Sequence, residues 1–170
     1  MKRFKCCDND EEFGKVSLFI LERKRDLHLS FMTLDIVSML YTYLTQGHLF
    51  IVTDDDNEIL GASAYYHGTP ERDFMDKDVA FIDLAIMDKP RRGTRLFVSS
   101  LMSLVDTIIE KHPEVKELRF AALGENTYLC RLYAKFAAFS YMRDGNIGQE
   151  MVFSEGIFQI RDTLKKYDIV

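Results

Sequence analysis

Between an apolar run and a long amphipathic segment, the stretch from Asp88 to Arg95 places Arg91, Arg92, Gly93 and Arg95 within five residues. A strand that ends in such a turn and feeds a helix leaves the first helical N–H groups unpaired at the positive end of the helix dipole, an arrangement that binds phosphate. The arginines add mobile positive charge at that point, and Gly93 lets a ligand approach the backbone with no Cβ in the way. Neither the Rossmann glycine pattern nor the Walker A lysine loop is present, so a dinucleotide or nucleoside triphosphate is not indicated. A basic turn before a helix is also a common surface feature, so the stretch alone does not decide between the two.

Other residues invite chemistry less strongly. Asp83 lies within the otherwise apolar run Val79 to Met87, where a carboxylate can act as a base directly or through water, pair with a buried arginine, or sit on an exposed face. Glu125 and Glu150 are further candidates for a base. Tyr133 shares helical spacing with Leu129, Leu132 and Phe136, the pattern of ordinary core packing. Cys130 sits on the same helix with no histidine at a telling distance, which suggests packing rather than nucleophilic catalysis. Ser99 and Ser100 lie in a helical stretch with no nucleophile elbow. The triplet Asp54 to Asp56 lacks the EF-hand spacing and glycine and reads as a solvated turn. The four histidines are scattered along the chain and read as surface or turn residues, with His67, at the end of a strand, able to reach a cleft. No metal centre is expected.

These residues must be positioned by the elements around them. Phe13, Val16, Phe19 and Ile20 give helical spacing over residues 10–25, and Leu34, Val37, Leu40, Tyr41 and Leu44 repeat it over 33–44. Strands over 48–53 and 59–67 form a hairpin turned at Asp54 to Asn57. The loop from Gly68 to Asp78 is long for a compact domain and is a place for substrate contact. A strand over 79–87, a helix over 96–111 with Pro113 just beyond it, a strand ending at Leu123, a helix over 126–138, a hairpin turned at Asp144 to Gly148 and a final helix over 157–167 complete the order, with a short strand at Arg3 to Cys7. The fold class is α/β: a strand-helix-strand unit, its crossover right-handed, inside a mixed sheet otherwise built of hairpins.

At 170 residues with 47% hydrophobic content, the chain is long enough for one sizeable core, and a single domain over 1–170 is expected. A net charge of -5 leaves no general basic footprint for nucleic acid. No apolar run reaches the length of a membrane span, and no signal segment is visible, so a cytosolic home is expected. Three cysteines without paired spacing argue against a disulfide framework or a zinc site.

The stretch PRRGTR, placed after this element order, resembles the Gln/Arg-x-x-Gly-x-Gly/Ala pyrophosphate loop of the GCN5-related N-acetyltransferase (GNAT) superfamily, with Gly93 at the first glycine. The segment ENTYLCRLYAKFAAF is similar to that superfamily's later motif, matching at Asn126, Leu132, Tyr133 and Lys135, and Asn126 follows Gly93 by 33 residues with one strand between. Arg95 stands where the family has its second Gly or Ala, and Ala137 or Ala138 replaces the motif glycine. The resemblance implies a GNAT-like, mostly antiparallel sheet and binding of acetyl-CoA as acyl donor by Arg91, Arg92, Gly93, Thr94, Arg95, Asn126 and Lys135. It implies a backbone N–H near Ile86, Met87 or Asp88 that polarises the thioester carbonyl, and Tyr133 as the acid that protonates the departing thiolate; Asp83, from its place in the apolar run, stands beside that site as a base candidate. The acceptor it implies is a primary amine on a small molecule or peptide. The last hairpin offers an edge strand that could pair two copies of the chain. The two departures motivate a second reading, a GNAT-fold protein that senses acyl-CoA or regulates a partner without catalysis.

Overall fold

The computed structural model describes residues 1–89, 93–145 and 147–168, without the side chains of residues 94 and 168. Among the described residues, seven strands, Arg3–Cys6 (β1), His48–Thr53 (β2), Ile59–His67 (β3), Val79–Met87 (β4), Glu117–Leu123 (β5), Ala138–Asp144 (β6) and Gln149–Gly156 (β7), form one sheet in the order β1-β2-β3-β4-β5-β7-β6. The helices are Asp10–Glu22 (α1), Lys24–Leu27 (α2), Thr33–Gln46 (α3), Thr94–Lys111 (α4), Thr127–Ala134 (α5) and Ile157–Asp168 (α6). All described pairings are antiparallel except β4 with β5, which α4 connects. This is the expected α/β class and sheet.

Helix ends follow local chemistry. The Asn9 side chain accepts from the Glu12 N–H at 2.9 Å to open α1, with Asp10, Glu11 and Glu12 in its first turn, where the dipole favours carboxylates. Asp35 accepts from the Met32 N–H at 2.8 Å to open α3. The expected helix over 10–25 is interrupted at Arg23, whose guanidinium lies 3.8 Å over the Phe19 ring and pairs with Asp88 at 2.9 Å. That tertiary anchor turns the chain and leaves α2 as a separate turn. The helix expected over 126–138 stops at Ala134, and β6 begins at Ala138.

The sheet separates two apolar layers. On one face α4, α5 and α6 bury Phe97, Leu101, Val105, Tyr133, Ile160 and Leu164 against Ile82 and Phe120. On the other, α1 and α3 bury Val16, Ile20, Ile36, Leu40 and Tyr43 against Phe81, Leu84 and Ile86. The expected apolar face of α3 is therefore corrected: Leu34, Val37, Tyr41 and Leu44 are exposed, while the stripe of Ile36, Leu40 and Tyr43 faces the sheet. The helix carries two interleaved apolar stripes, and a buried partner for the Tyr43 hydroxyl favours the second.

Strand β4 carries an irregularity that matters below. Ala64 pairs with Leu84 but Tyr65 with Ile82, so Asp83 is an extra residue, a bulge. Side chains alternate along a strand, and one extra residue reverses the parity. Ile82 accordingly points to the α4 face, while Leu84 and Ile86 join the α3 face.

The loop from Gly68 to Asp78 is tied down. Thr69 donates from its N–H and its hydroxyl to the two oxygens of Asp76, both at 2.7 Å, and the Phe74 ring packs on Tyr66. Gly68 has φ +98°, and a Cβ there would lie 2.6 Å from the Phe74 carbonyl oxygen. Gly68→Ala is therefore expected to destabilise the fold by about 2–3 kcal/mol, read as a lower urea midpoint at unchanged m-value.

The histidines correct another expectation. His48, His67 and His112 converge where β2 begins, β3 ends and α4 ends, with ring centroids 4.1 Å apart for His67 and His112 and 5.3 Å for His48 and His112. Burial, reinforced by His67 and His48, pushes the His112 imidazole down to about 4. No helix among the described residues is long and apolar enough to cross a membrane.

Candidate active site

Strands β4 and β5 pair only from Val79 with Glu117 to Ile82 with Phe120. Beyond the bulge at Asp83 they part, and a cleft of about 440 Å³ opens between them. Its walls include Asp83, Ile86 and Met87 of β4, Gly93 and Phe97 at the start of α4, Asn126 and Tyr133 around α5, and Glu150 of β7. Residues 25–29 and 31 contribute from the other face. His28 Nε2 and Glu125 Oε2, 2.7 Å apart, join those two walls.

The parting of the strands frees backbone donors. The Asp88 N–H donates to the Leu60 carbonyl at 2.9 Å, so Asp88 does not offer its amide to the cleft. Because N–H directions alternate along a strand, Ile86 faces β3 as Asp88 does, and Met87, opposite Gly61, directs its N–H toward the gap left by β5. Of the three residues considered from sequence, the geometry singles out Met87. Its side chain lies in close contact over Gly61, where a Cβ would meet the thioether sulfur.

Tyr133 stands on the opposite wall. It is 1% exposed, its ring packs 4.7 Å from that of Phe120, and its hydroxyl has no hydrogen-bond partner among the described residues. Burial, then Cys130 and Asp83, raises its pKa, so the phenol holds its proton throughout the physiological range. An orphaned buried hydroxyl costs about 1–3 kcal/mol unless something completes it.

Asp83 is already engaged. Tyr43 Oη donates to its Oδ2 and Arg143 Nη2 to its Oδ1, both at 2.6 Å. Arg143 also donates from Nε to Glu150 Oε1 at 2.7 Å and from Nη1 to Glu71 Oε1 at 3.0 Å, and lies 4.4 Å over the Phe81 ring. Three carboxylates thus surround one guanidinium, and the side chains of Arg143, Asp83 and Glu150 are 15%, 14% and 16% exposed. Burial raises the Glu150 carboxyl above its ordinary value, with Arg143 opposing. Gly145 makes room for it: a Cβ there would sit 2.5 Å from Glu150 Oε2. Sequence reasoning named Asp83 and Glu150 separately but missed Arg143, which joins them.

The remaining expected binding residues divide. Gly93 caps α4 in an extended conformation (φ −176°) that any residue adopts, and the space where its Cβ would stand is open. Its glycine is thus required neither by backbone strain nor by packing among the described residues, and the open space suits a close ligand. The first turn of α4 holds no acidic residue. Arg91 and Arg92 lie outside the described residues, as does the side chain of Thr94. Arg95 is exposed. The Asn126 side chain accepts from the Leu129 N–H at 3.1 Å and caps α5. Lys135 is the exposed C-cap of α5 and is not among the residues that line the cleft. Cys130 is buried, its thiol directed to the Leu123 carbonyl at 3.4 Å.

No family model matches the chain, and no curated protein matches its sequence. Solved structures do match its fold. An aminoglycoside acetyltransferase in complex with coenzyme A and kanamycin superposes with TM-score 0.70 at 14% identity, over 98% of each chain. A ribosomal L7/L12 α-N-protein acetyltransferase in complex with coenzyme A gives 0.64 at 9% identity, over 91% of this chain and 93% of that one. An N-acetyltransferase from Staphylococcus aureus Mu50 gives 0.66 at 12% identity, over 92% and 99%. At such identities the likeness speaks for the fold.

Proposed function

From a chain that has the fold of the GCN5-related N-acetyltransferases, we propose an N-acetyltransferase in which residues 1–170 form one domain that moves an acetyl group from acetyl-CoA to a primary amine. The observation that carries this reading is the Tyr133 hydroxyl, which has no partner among the described residues, set in the cleft toward which the Met87 N–H is directed. Two neighbours of the same fold are complexes with coenzyme A, and the open space at Gly93, at the head of an 18-residue helix with no acid in its first turn, suits a diphosphate. Acetyl-CoA, when bound, supplies the activated thioester. The arginines at 91, 92 and 95 would add charge to the diphosphate site.

Each chain residue then has one task. The Met87 N–H donates to the carbonyl oxygen as negative charge grows there, and a fixed donor in a water-poor cleft needs no reorganisation to do so. Tyr133 delivers its proton to the departing thiolate, which its raised pKa keeps available until that charge appears. Glu150 receives the amine proton: burial makes it a stronger base than an ordinary glutamate, whereas both oxygens of Asp83 are occupied by Tyr43 and Arg143. Asp83 orients Arg143, which in turn holds Glu150. Three carboxylates against one guanidinium leave this wall acidic, which favours a cationic amine over a neutral one.

The acid limb of kcat/KM should therefore lie above the ordinary glutamate value, activity rising with pH as Glu150 loses its proton, and Glu150→Gln should abolish the limb. The stability sign is opposite. A raised folded-state pKa contributes stability below the unfolded value, near 4.5, and loses it as pH climbs through the folded value.

The test is a thermal-shift titration with acetyl-CoA, followed by thiol release across aminoglycosides, polyamines and peptides with free α-amino groups. A raised midpoint with thiol release on one amine class is expected. An unchanged midpoint overturns the reading, and a raised midpoint without release on any amine favours the acyl-CoA sensor.

A further inference from the structure

We propose that His67, His112 and Glu114 form a binding site for a divalent transition-metal ion of the zinc class, at the end of the sheet opposite the candidate active site. One ligand atom from each lies within 4.8 Å of the other two. His67 Nε2 already stands 3.1 Å from Glu114 Oε1 and 2.9 Å from the Lys77 carbonyl oxygen. Two imidazoles and one carboxylate are a ligand set that zinc accepts in tetrahedral geometry, with one position left for water or a further donor. His48, whose ring is 5.3 Å from that of His112, is one such donor.

The scaffold holds these ligands in place. Pro113 stands between His112 and Glu114 and fixes its own φ while confining His112 to extended backbone, observed at φ −131°, ψ 71°. The His112 N–H donates to the Ile108 carbonyl at 2.8 Å, and the Val115 N–H returns to the His112 carbonyl at 3.0 Å. The two ligands therefore project from one tight turn anchored on both sides. His67 ends β3, and Lys77 holds it by donating from Nζ to the His67 carbonyl at 3.0 Å. The Tyr65 hydroxyl lies 3.3 Å from His112 Nε2 and orients that ring, as a hydrogen bond to a ligand imidazole does. An ion here would clip the end of β3 to the turn between α4 and β5, joining segments 45 residues apart in sequence.

The experiment uses the full chain, stripped with a chelator and titrated with zinc chloride, with the unfolding midpoint as one readout and the visible absorption of the cobalt(II) form as the other. At a zinc concentration about 100 times the dissociation constant, the midpoint should rise by roughly 5 °C or more, and cobalt should give the intense visible bands of a low-coordinate site. Glu114 is half exposed and its loss does not threaten the fold, so Glu114→Gln and His67→Gln should each weaken zinc binding by at least the roughly 10–100-fold that losing an outer-shell partner costs. An unchanged midpoint overturns the site, and then the contact between His67 and Glu114 is only a hydrogen bond. Zinc affinity unchanged from the parent in both variants also overturns it and moves the ion elsewhere, to the thiols of Cys6 and Cys7 among the alternatives.

Discussion

Arg143→Met is expected to destabilise the protein by about 3–5 kcal/mol, because it strands two buried carboxylates rather than because it removes attraction. Asp83 and Glu150 each lose a donor within 2.7 Å, and at 14% and 16% exposure in the cleft wall neither regains full hydration in its place. Methionine keeps apolar contact with the Phe81 ring, so lost packing accounts for little of the effect. Neutralising the stranded groups should restore much of the loss. The triple variant Arg143→Met, Asp83→Asn, Glu150→Gln is expected to unfold within about 2 kcal/mol of the parent, whereas simple loss of packing would leave it as unstable as the single change. Arg143→Lys should rescue poorly, since one ammonium cannot serve three carboxylates arranged around a planar fork. Urea midpoints of the four proteins decide the matter.

Tyr133→Phe should pull activity and stability in opposite directions. Turnover is expected to fall by about 10²–10⁴-fold, the usual worth of a positioned proton donor, with little change in acetyl-CoA affinity. The same change removes a buried hydroxyl that has no partner among the described residues, so the free protein should gain about 1 kcal/mol. A residue that serves only packing would show neither effect, and one that serves only binding would lose affinity first. Unchanged turnover would remove Tyr133 from the chemistry.

Legibility in the sequence varied with the range of the force responsible. Strands β2 and β3 lie at the expected residues because the polar turn at Asp54 to Asn57 and Gly68 punctuate them locally. The end of α5 is not legible in the sequence, because Phe136, Ala137 and Ala138 suit a helix and no glycine or proline marks the stop. Among the described residues the chain leaves that helix with no left-handed residue between 135 and 137, so the missing motif glycine is not needed there. The buried face of α3 was ambiguous for a different reason: both of its stripes are apolar, and only the hydroxyl of Tyr43 meeting Asp83 separates them. The cleft walls at Ile86, Met87, Gly93 and Tyr133 followed from motif resemblance. Arg143, 60 residues from Asp83, and the convergence of three histidines depend on strand register, and no local pattern announces either.

The four parallel pairs between Val79–Ile82 and Glu117–Phe120 form a seam between two antiparallel blocks, β1 to β4 and β5 to β7. Most joins within each block link chain neighbours and can zip early, while the seam must await closure of the whole α4 crossover. The seam is thus expected to open before the joins within each block. A molecule lodged in the cleft touches both blocks and would rivet them, so slowed amide exchange should radiate outward from residues 80–82 and 118–120 rather than from the rim.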